Sequence, residues 1–146
     1  MSLFNGMNIS ASGLTVNRLR MDVVSSNIAN AETTRGSLEN GEWIPYRRKV
    51  VELGSFQQQL TTAMNGQKSP FAGVTVDRIK GDQTPFQQIF DPEHPDADEN
   101  GYIQMPNVDP LKEMVDLMSA TRSYEANVTA FNASKSMFMK ALEIGK

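Results

Sequence analysis

Cysteine is absent from the 146 residues, and histidine occurs once, as His94. Thiol catalysis and a disulfide framework are therefore excluded, and zinc sites built from Cys and His cannot form within one chain. Long apolar runs are missing too, the longest spanning a few residues against the roughly 20 that a membrane crossing needs. The amino terminus, MSLFNGMNIS, has neither a cationic stretch nor an apolar one behind it, so no cleaved secretory signal is expected. Positive charge is not in surplus. The net charge of -3 and a pI near 5.1 withhold the basic field that nucleic acid or an anionic membrane would require.

What is present divides the chain in three. From Leu3 to Ala31 there is no proline, and Met7, Leu14, Met21 and Ile28 recur every seven residues, with Leu3, Ala11 and Val24 at the offset positions. That spacing predicts a helix with a coiled-coil-like stripe. Gly6 and Gly13 weaken its first half by about 0.8–1.0 kcal/mol each, so this end is expected to fray in the monomer. A second helix is predicted from Asp109 to Ile144, opened by an Asp cap and by Pro110 where a missing N–H does no harm. Along it Leu117, Tyr124, Phe131 and Phe138 recur at sevens, with Met114, Thr121, Val128 and Leu142 interleaved and Lys135 interrupting. Such a helix would be about 50 Å long, wider than a small globule.

Between them, Arg35 to Asn107 carries most of the Gly and every Pro except Pro110. It reads as loops and short strands, the best being Trp43 to Leu53, Gly73 to Lys80, Pro85 to Phe90 and Tyr102 to Met105, with a short helix through Phe56, Leu60 and Met64 as an alternative. The expected fold is mainly α with a small β-rich middle. Residues 1–34 and 109–146 are read as long terminal helices paired in an antiparallel coiled coil, and residues 35–108 as a short-stranded, loop-rich insertion. Two apolar stripes of this size need a cover that so small a middle cannot supply, which points to assembly with other chains.

Few residues carry chemistry. Asp96-Ala97-Asp98-Glu99-Asn100-Gly101 matches the first half of a calcium loop, but Asn107 stands where the bidentate Glu belongs, and Pro95 and Pro106 occupy the flanking helices. An acidic turn feeding a strand at Tyr102 explains the same residues. His94 lies in that acidic loop without a nucleophile beside it, and reads as an exposed loop residue. Arg47, Arg48 and Lys49 behind Tyr46 form the one basic cluster; alternation along a strand puts Arg48 opposite its neighbours and disperses the patch. No phosphate-cradling glycine loop is present. No positioned nucleophile, base and pocket can be assembled, so neither enzyme activity nor a cofactor or metal is expected. Asn27 and Asn30 share a helix face, where their amides can bond the freed carbonyls at a helix end or polar groups across an interface.

The stretch Ser26-Asn27-Ile28-Ala29-Asn30-Ala31 with Thr33, Thr34, Arg35 and Gly36 resembles the amino-terminal motif of bacterial flagellar rod and hook proteins. Pro45-Tyr46-Arg47 resembles the strand that follows in the proximal rod subgroup, and Asn100-Gly101-Tyr102 through Asp109 resembles its turn into the last helix. The helix, with Glu113-Met114-Val115, Ser119 to Asn127 and Lys135-Ser136-Met137, is similar to that of the FlgC family of basal-body proximal rod proteins. The resemblance implies a structural subunit of the axial drive shaft that crosses the periplasm and transmits torque. It implies export through the flagellar type III apparatus without a cleaved signal peptide. It implies as partners further copies, the other proximal and distal rod subunits and the rod-to-MS-ring adaptor, with no nucleic acid and no membrane insertion. Carried onto this chain, Met7, Leu14, Met21 and Ile28 would pack on Leu117, Tyr124, Phe131 and Phe138, and Asn27, Asn30 and Thr33 would hold the joint to the β-rich part. The runner-up from another class is a cytoplasmic coiled-coil adaptor or export chaperone that binds a partner helix.

Overall fold

The structure is a computed structural model that describes residues 4–39, 41–55 and 73–144. Helix α1 spans Asn5–Ala29 and helix α2 spans Pro110–Ile144. Between them lie six short strands: β1 (Ser37–Glu39), β2 (Glu42–Ile44), β3 (Lys49–Ser55), β4 (Val74–Gly81), β5 (Gln87–Phe90) and β6 (Tyr102–Met105). They pair as three two-stranded sheets, β1 with β2, β3 with β4 and β5 with β6. Mainly α with a small β middle is thus what the chain forms. The strand expected from Trp43 to Leu53 is two, β2 and β3, because residues 45–48 turn away from regular pairing around Pro45. The short helix through Phe56, Leu60 and Met64 falls outside the described residues.

Local chemistry sets the ends. The carboxylate of Asp109 accepts the N–H of Leu111 at 3.0 Å, its carbonyl accepts that of Glu113 at 3.0 Å, and Pro110 occupies the first helical position. In β1–β2, Glu39 pairs with Glu42, so the chain reverses over two residues, with Gly41 at φ +91° supplying the left-handed turn that side chains resist. Gly101 does the same at φ +80° where the chain enters β6.

The antiparallel coiled coil sealed by an apolar stripe is not what the structure contains. Met7, Leu14, Met21, Ile28, Leu117, Tyr124, Val128, Phe131 and Phe138 are only half-buried, while Met114, Thr121 and Leu142 are exposed. The buried positions of α1 are Ser10, Val16, Val23, Val24 and Asn27; those of α2 are Glu113 and Ala120. Small and polar residues make the close approaches. A Cβ placed on Gly13 would sit 2.8 Å from the Oδ1 of Asn127, and one on Gly6 would sit 3.8 Å from the Oγ of Ser134. Period seven is present, but the approach lies on a neighbouring row, through Gly6 and Gly13 on α1 and Asn127 and Ser134 on α2. The stripe residues flank that row. Phe4 and Phe138, with ring centroids 5.4 Å apart, are one such flanking pair, and Thr121 Oγ1 against Met21 Sδ at 3.5 Å is another.

Two compact units divide the chain. In one, comprising residues 1–21, 51–78 and 118–146, only Ser10, Val16 and Ala120 are buried among the described residues. The other, residues 22–50 and 79–117, buries Val23, Val24, Asn27, Pro45, Ile103, Pro106, Val108 and Glu113. Gly36 is fixed in this second unit by sterics alone, since a Cβ there would lie 2.6 Å from the backbone N of Tyr46. Backbone cannot yield as a side chain can. Gly36→Ala is expected to destabilise the fold by about 1–3 kcal/mol, the range for overpacking, read as a lower urea midpoint at unchanged slope; an unaltered midpoint would refute that account.

Candidate functional site

Among the described residues, the two most buried polar side chains, Glu113 and Asn27, belong to one cluster. Glu113 is fully buried on the first turn of α2, where the positive end of the helix favours its charge. Its Oε1 accepts from Arg48, Nε at 2.7 Å and Nη2 at 2.6 Å, and its Oε2 accepts the Nδ2 of Asn27 at 2.9 Å. Arg48 reaches Asp82 at 3.4 Å and Asp116 at 3.7 Å as well. Burial pulls the Arg48 guanidinium down, but its bond to and charge from Glu113, with Asp82 behind, outweigh this and raise it above the ordinary arginine value. A half-buried cation is thereby matched by the carboxylates of Glu113, Asp82 and Asp116.

Asn27, near the end of α1, completes the cluster. Its Nδ2 also donates to the carbonyl of Lys49 at 2.8 Å, while its Oδ1 accepts the N–H of Lys49 at 2.9 Å and the Tyr46 hydroxyl at 3.0 Å. The amide therefore meets Lys49 as a strand neighbour would, and all four of its bonding positions are used. Asn107 mirrors it on the next residue: its Oδ1 accepts the N–H of Arg48 at 2.8 Å and its Nδ2 donates to the carbonyls of Asp82 and Thr84. Two asparagines thus bond the N–H groups of residues 48 and 49, just before and at the start of β3. Asp82 is set by its own turn, the Thr84 hydroxyl and amide holding its carboxyl below the usual range with help from Arg48.

Around the end of α1 the motif residues Ser26, Asn27, Asn30, Thr33 and Tyr46 come together. Ser26 Oγ lies 3.4 Å from the Tyr46 hydroxyl, Asn30 Nδ2 donates to the Ser26 carbonyl at 2.8 Å, and Thr33 accepts the N–H of Tyr46 at 3.1 Å. Ala29 is exposed. Arg47 points elsewhere, its guanidinium 4.5 Å over the Phe86 ring, and Lys49 sits over the Tyr46 ring at 5.5 Å. Asn100, Gly101 and Tyr102 form a separate turn around Asp98, whose Oδ1 accepts the N–H groups of Asn100 and Tyr102 at 2.9 Å each. Asp96 is bound by Arg35 and by the Thr34 hydroxyl at 2.8 Å, which hold its carboxyl below the usual range. The half calcium loop is built as a turn and a salt bridge; among the described residues no group of acids and His is placed to hold a metal.

Sequence reasoning missed Arg48, Asp82, Asn107 and Glu113 as members of this cluster. Alternation had already set Arg48 apart from Arg47 and Lys49, and that was the available signal. Nothing in the sequence marked Glu113 as buried.

Arg48→Met leaves Glu113 uncompensated and is expected to cost about 3–5 kcal/mol, whereas Arg48→Met with Glu113→Leu regains most of it; a double variant as unstable as the single one in urea titration would contradict the pairing. Asp96, with its folded pKa depressed, adds stability above the ordinary carboxylate range that is lost as pH falls through the depressed value. Asp96→Asn should therefore flatten the acid limb of the stability profile, and an unchanged limb would refute this.

Two family models match the chain: "Flagella basal body rod protein" over residues 7–35 and "Flagellar basal body rod FlgEFG protein C-terminal" over residues 99–144. The first match contains Asn27 and the second Glu113, while Arg48 and Asp82 lie in the stretch between. Along its whole length the chain is 58% identical to the flagellar basal-body rod protein FlgC of Bacillus subtilis, with 100% of each chain covered. It is 42% identical to the FlgC of Borreliella burgdorferi over 99% of this chain and 98% of that one, and 41% identical to the FlgC of Salmonella typhimurium over 100% of both. The chain belongs to the FlgC family of flagellar basal-body rod proteins.

Proposed function

We propose that this structural rod subunit, which is not an enzyme, joins the proximal part of the rod through apolar surface on its terminal helices. The observation that carries the reading is the exposed face of α2. Leu111, Met114, Val115 and Met118 recur at i, i+3, i+4 and i+7 and are 75%, 47%, 60% and 54% exposed. Helices of folded proteins direct such stripes at a partner, and each large apolar side chain covered by one contributes about 1.5–3 kcal/mol. Met137, Met139, Leu142 and Ile144 leave the far end of α2 equally uncovered.

In this reading the terminal helices, residues 1–34 and 109–146, supply the contacts of an axial shaft that crosses the periplasm and carries torque. Residues 35–108 form its outer part, held at the end of α1 by Asn27, Asn30 and Thr33. The partners are further copies, other proximal and distal rod subunits, the adaptor to the MS ring and the type III export apparatus, which takes the chain without cleavage of a signal. A cytoplasmic adaptor is not favoured, because full-length relatives carry the rod name.

Replacing Leu111 and Val115 together with Glu is expected to leave the monomer's melting temperature within about 1 °C, since both side chains face solvent. The same variant as the cell's only copy should abolish rod assembly and motility. Normal swimming would refute the proposed surface.

A further inference from the structure

A groove of about 520 Å³ runs between β2 and β6, and none of the residues that line it belongs to the polar cluster or to the apolar face of α2. Three consecutive residues from each strand line it: Glu42, Trp43 and Ile44 from β2, and Tyr102, Ile103 and Gln104 from β6. Successive side chains of a strand point to opposite faces, so three in a row bring the strand edges into the groove wall, beside Phe86 and Gln88 from the β5 side. Those edges carry outward-facing backbone groups. The Asp91 N–H donates to the Gly101 carbonyl at 3.0 Å, which makes 89–103 a bonded pair and 88–104 an unbonded one in the β5–β6 register. Gln104 therefore turns its N–H and C=O away from β5. Tyr102, in the same phase, has its outward groups taken by Asp98, at 2.9 Å on each side. On β2 the two-residue reversal makes Glu39–Glu42 the bonded pair, so Trp43 turns its backbone groups away from β1.

The side chains name the chemistry. Trp43 and Tyr102, two of the lining residues, are 56% and 44% exposed, and the Tyr102 ring packs edge-on against Phe90 at 5.3 Å between centroids. Glu42, Asp96 and Asp98 line it with one cation, Arg47, which is held over Phe86 and donates to the Asp82 carbonyl at 2.9 Å; Asp96 is engaged by Arg35 and Asp98 by its own turn, which leaves Glu42 as the carboxylate on offer. Glu42 has no ion pair among the described residues. Acidic side chains, aromatic faces and two strand edges with backbone to offer match an extended, cationic polypeptide, whose lysines or arginines would meet Glu42 and the ring of Trp43 while its main chain pairs with an edge.

We propose that this groove docks an extended, positively charged segment of a partner protein as an added strand. Trp43 is the chain's one tryptophan, so it reports binding directly. The full chain is titrated with a peptide of alternating Lys and Val while Trp43 emission is followed. The expected result is a saturable change that weakens with added salt, that disappears when alternate amides of the peptide are N-methylated, and that an alternating Glu–Val peptide does not produce. Glu42→Lys, on an exposed position, should weaken binding by about five- to tenfold with an unchanged melting temperature. No saturable change, equal binding of the N-methylated or the acidic peptide, an unaffected Glu42→Lys variant, or a response to an uncharged oligosaccharide in place of the Lys–Val peptide would each overturn the proposal.

Discussion

The carboxylate of Glu113 is the constraint on which the second unit depends. An unpaired charge with no exposure would be prohibitive, so the fold is obliged to bring Arg48 and Asn27 to it. That obligation joins three distant stretches of sequence: the end of α1, the turn before β3 and the first turn of α2. Apolar burial is too thin to do this unaided, with Val23, Val24, Ile103 and Val108 as the buried hydrophobic residues of the unit among those described. Apolar contacts tolerate sliding, whereas a carboxylate bonded at both oxygens to partners on different elements accepts one arrangement.

The two asparagines explain how irregular chain can be rigid. Residues 45–48 lie outside every strand and Lys49 opens β3, and Arg48 and Lys49 have their N–H groups accepted at 2.8 and 2.9 Å by Asn107 and Asn27. Side-chain amides replace the missing ladder, which leaves Arg48 free to turn inward while Arg47 and Lys49 cover aromatic rings. A subunit built this way can place its β strands firmly without a large core and leave apolar helix surface for neighbours.

Much of the architecture was legible in the sequence. Helix ends followed from Asp109, Pro110 and the proline-free first 31 residues; β6 followed from Asn100-Gly101 and the apolar residues after it, because turn chemistry is local. The coiled-coil seam was not. Hydrophobic periodicity finds the apolar row, and at Gly13 the close approach belongs to the small row beside it, where a glycine against Asn127 brings backbones nearer than leucines would. Of the polar cluster, Asn27 and Tyr46 were visible through a motif, while alternation set Arg48 apart from its neighbours without assigning it a partner. Glu113 and Asn107 acquire their meaning from residues 65 and 59 positions away, at a separation no local pattern carries.

Native-state hydrogen exchange at Arg48 and Lys49 tests the central claim most directly, because their N–H groups are bonded to side-chain amides and belong to no regular ladder at that point. If the cluster organises the unit, both amides exchange among the slowest in residues 22–50 and 79–117, at rates set by unfolding of the whole unit. Exchange as fast as that of the exposed strand β5 would show that the cluster opens locally, and would contradict the account.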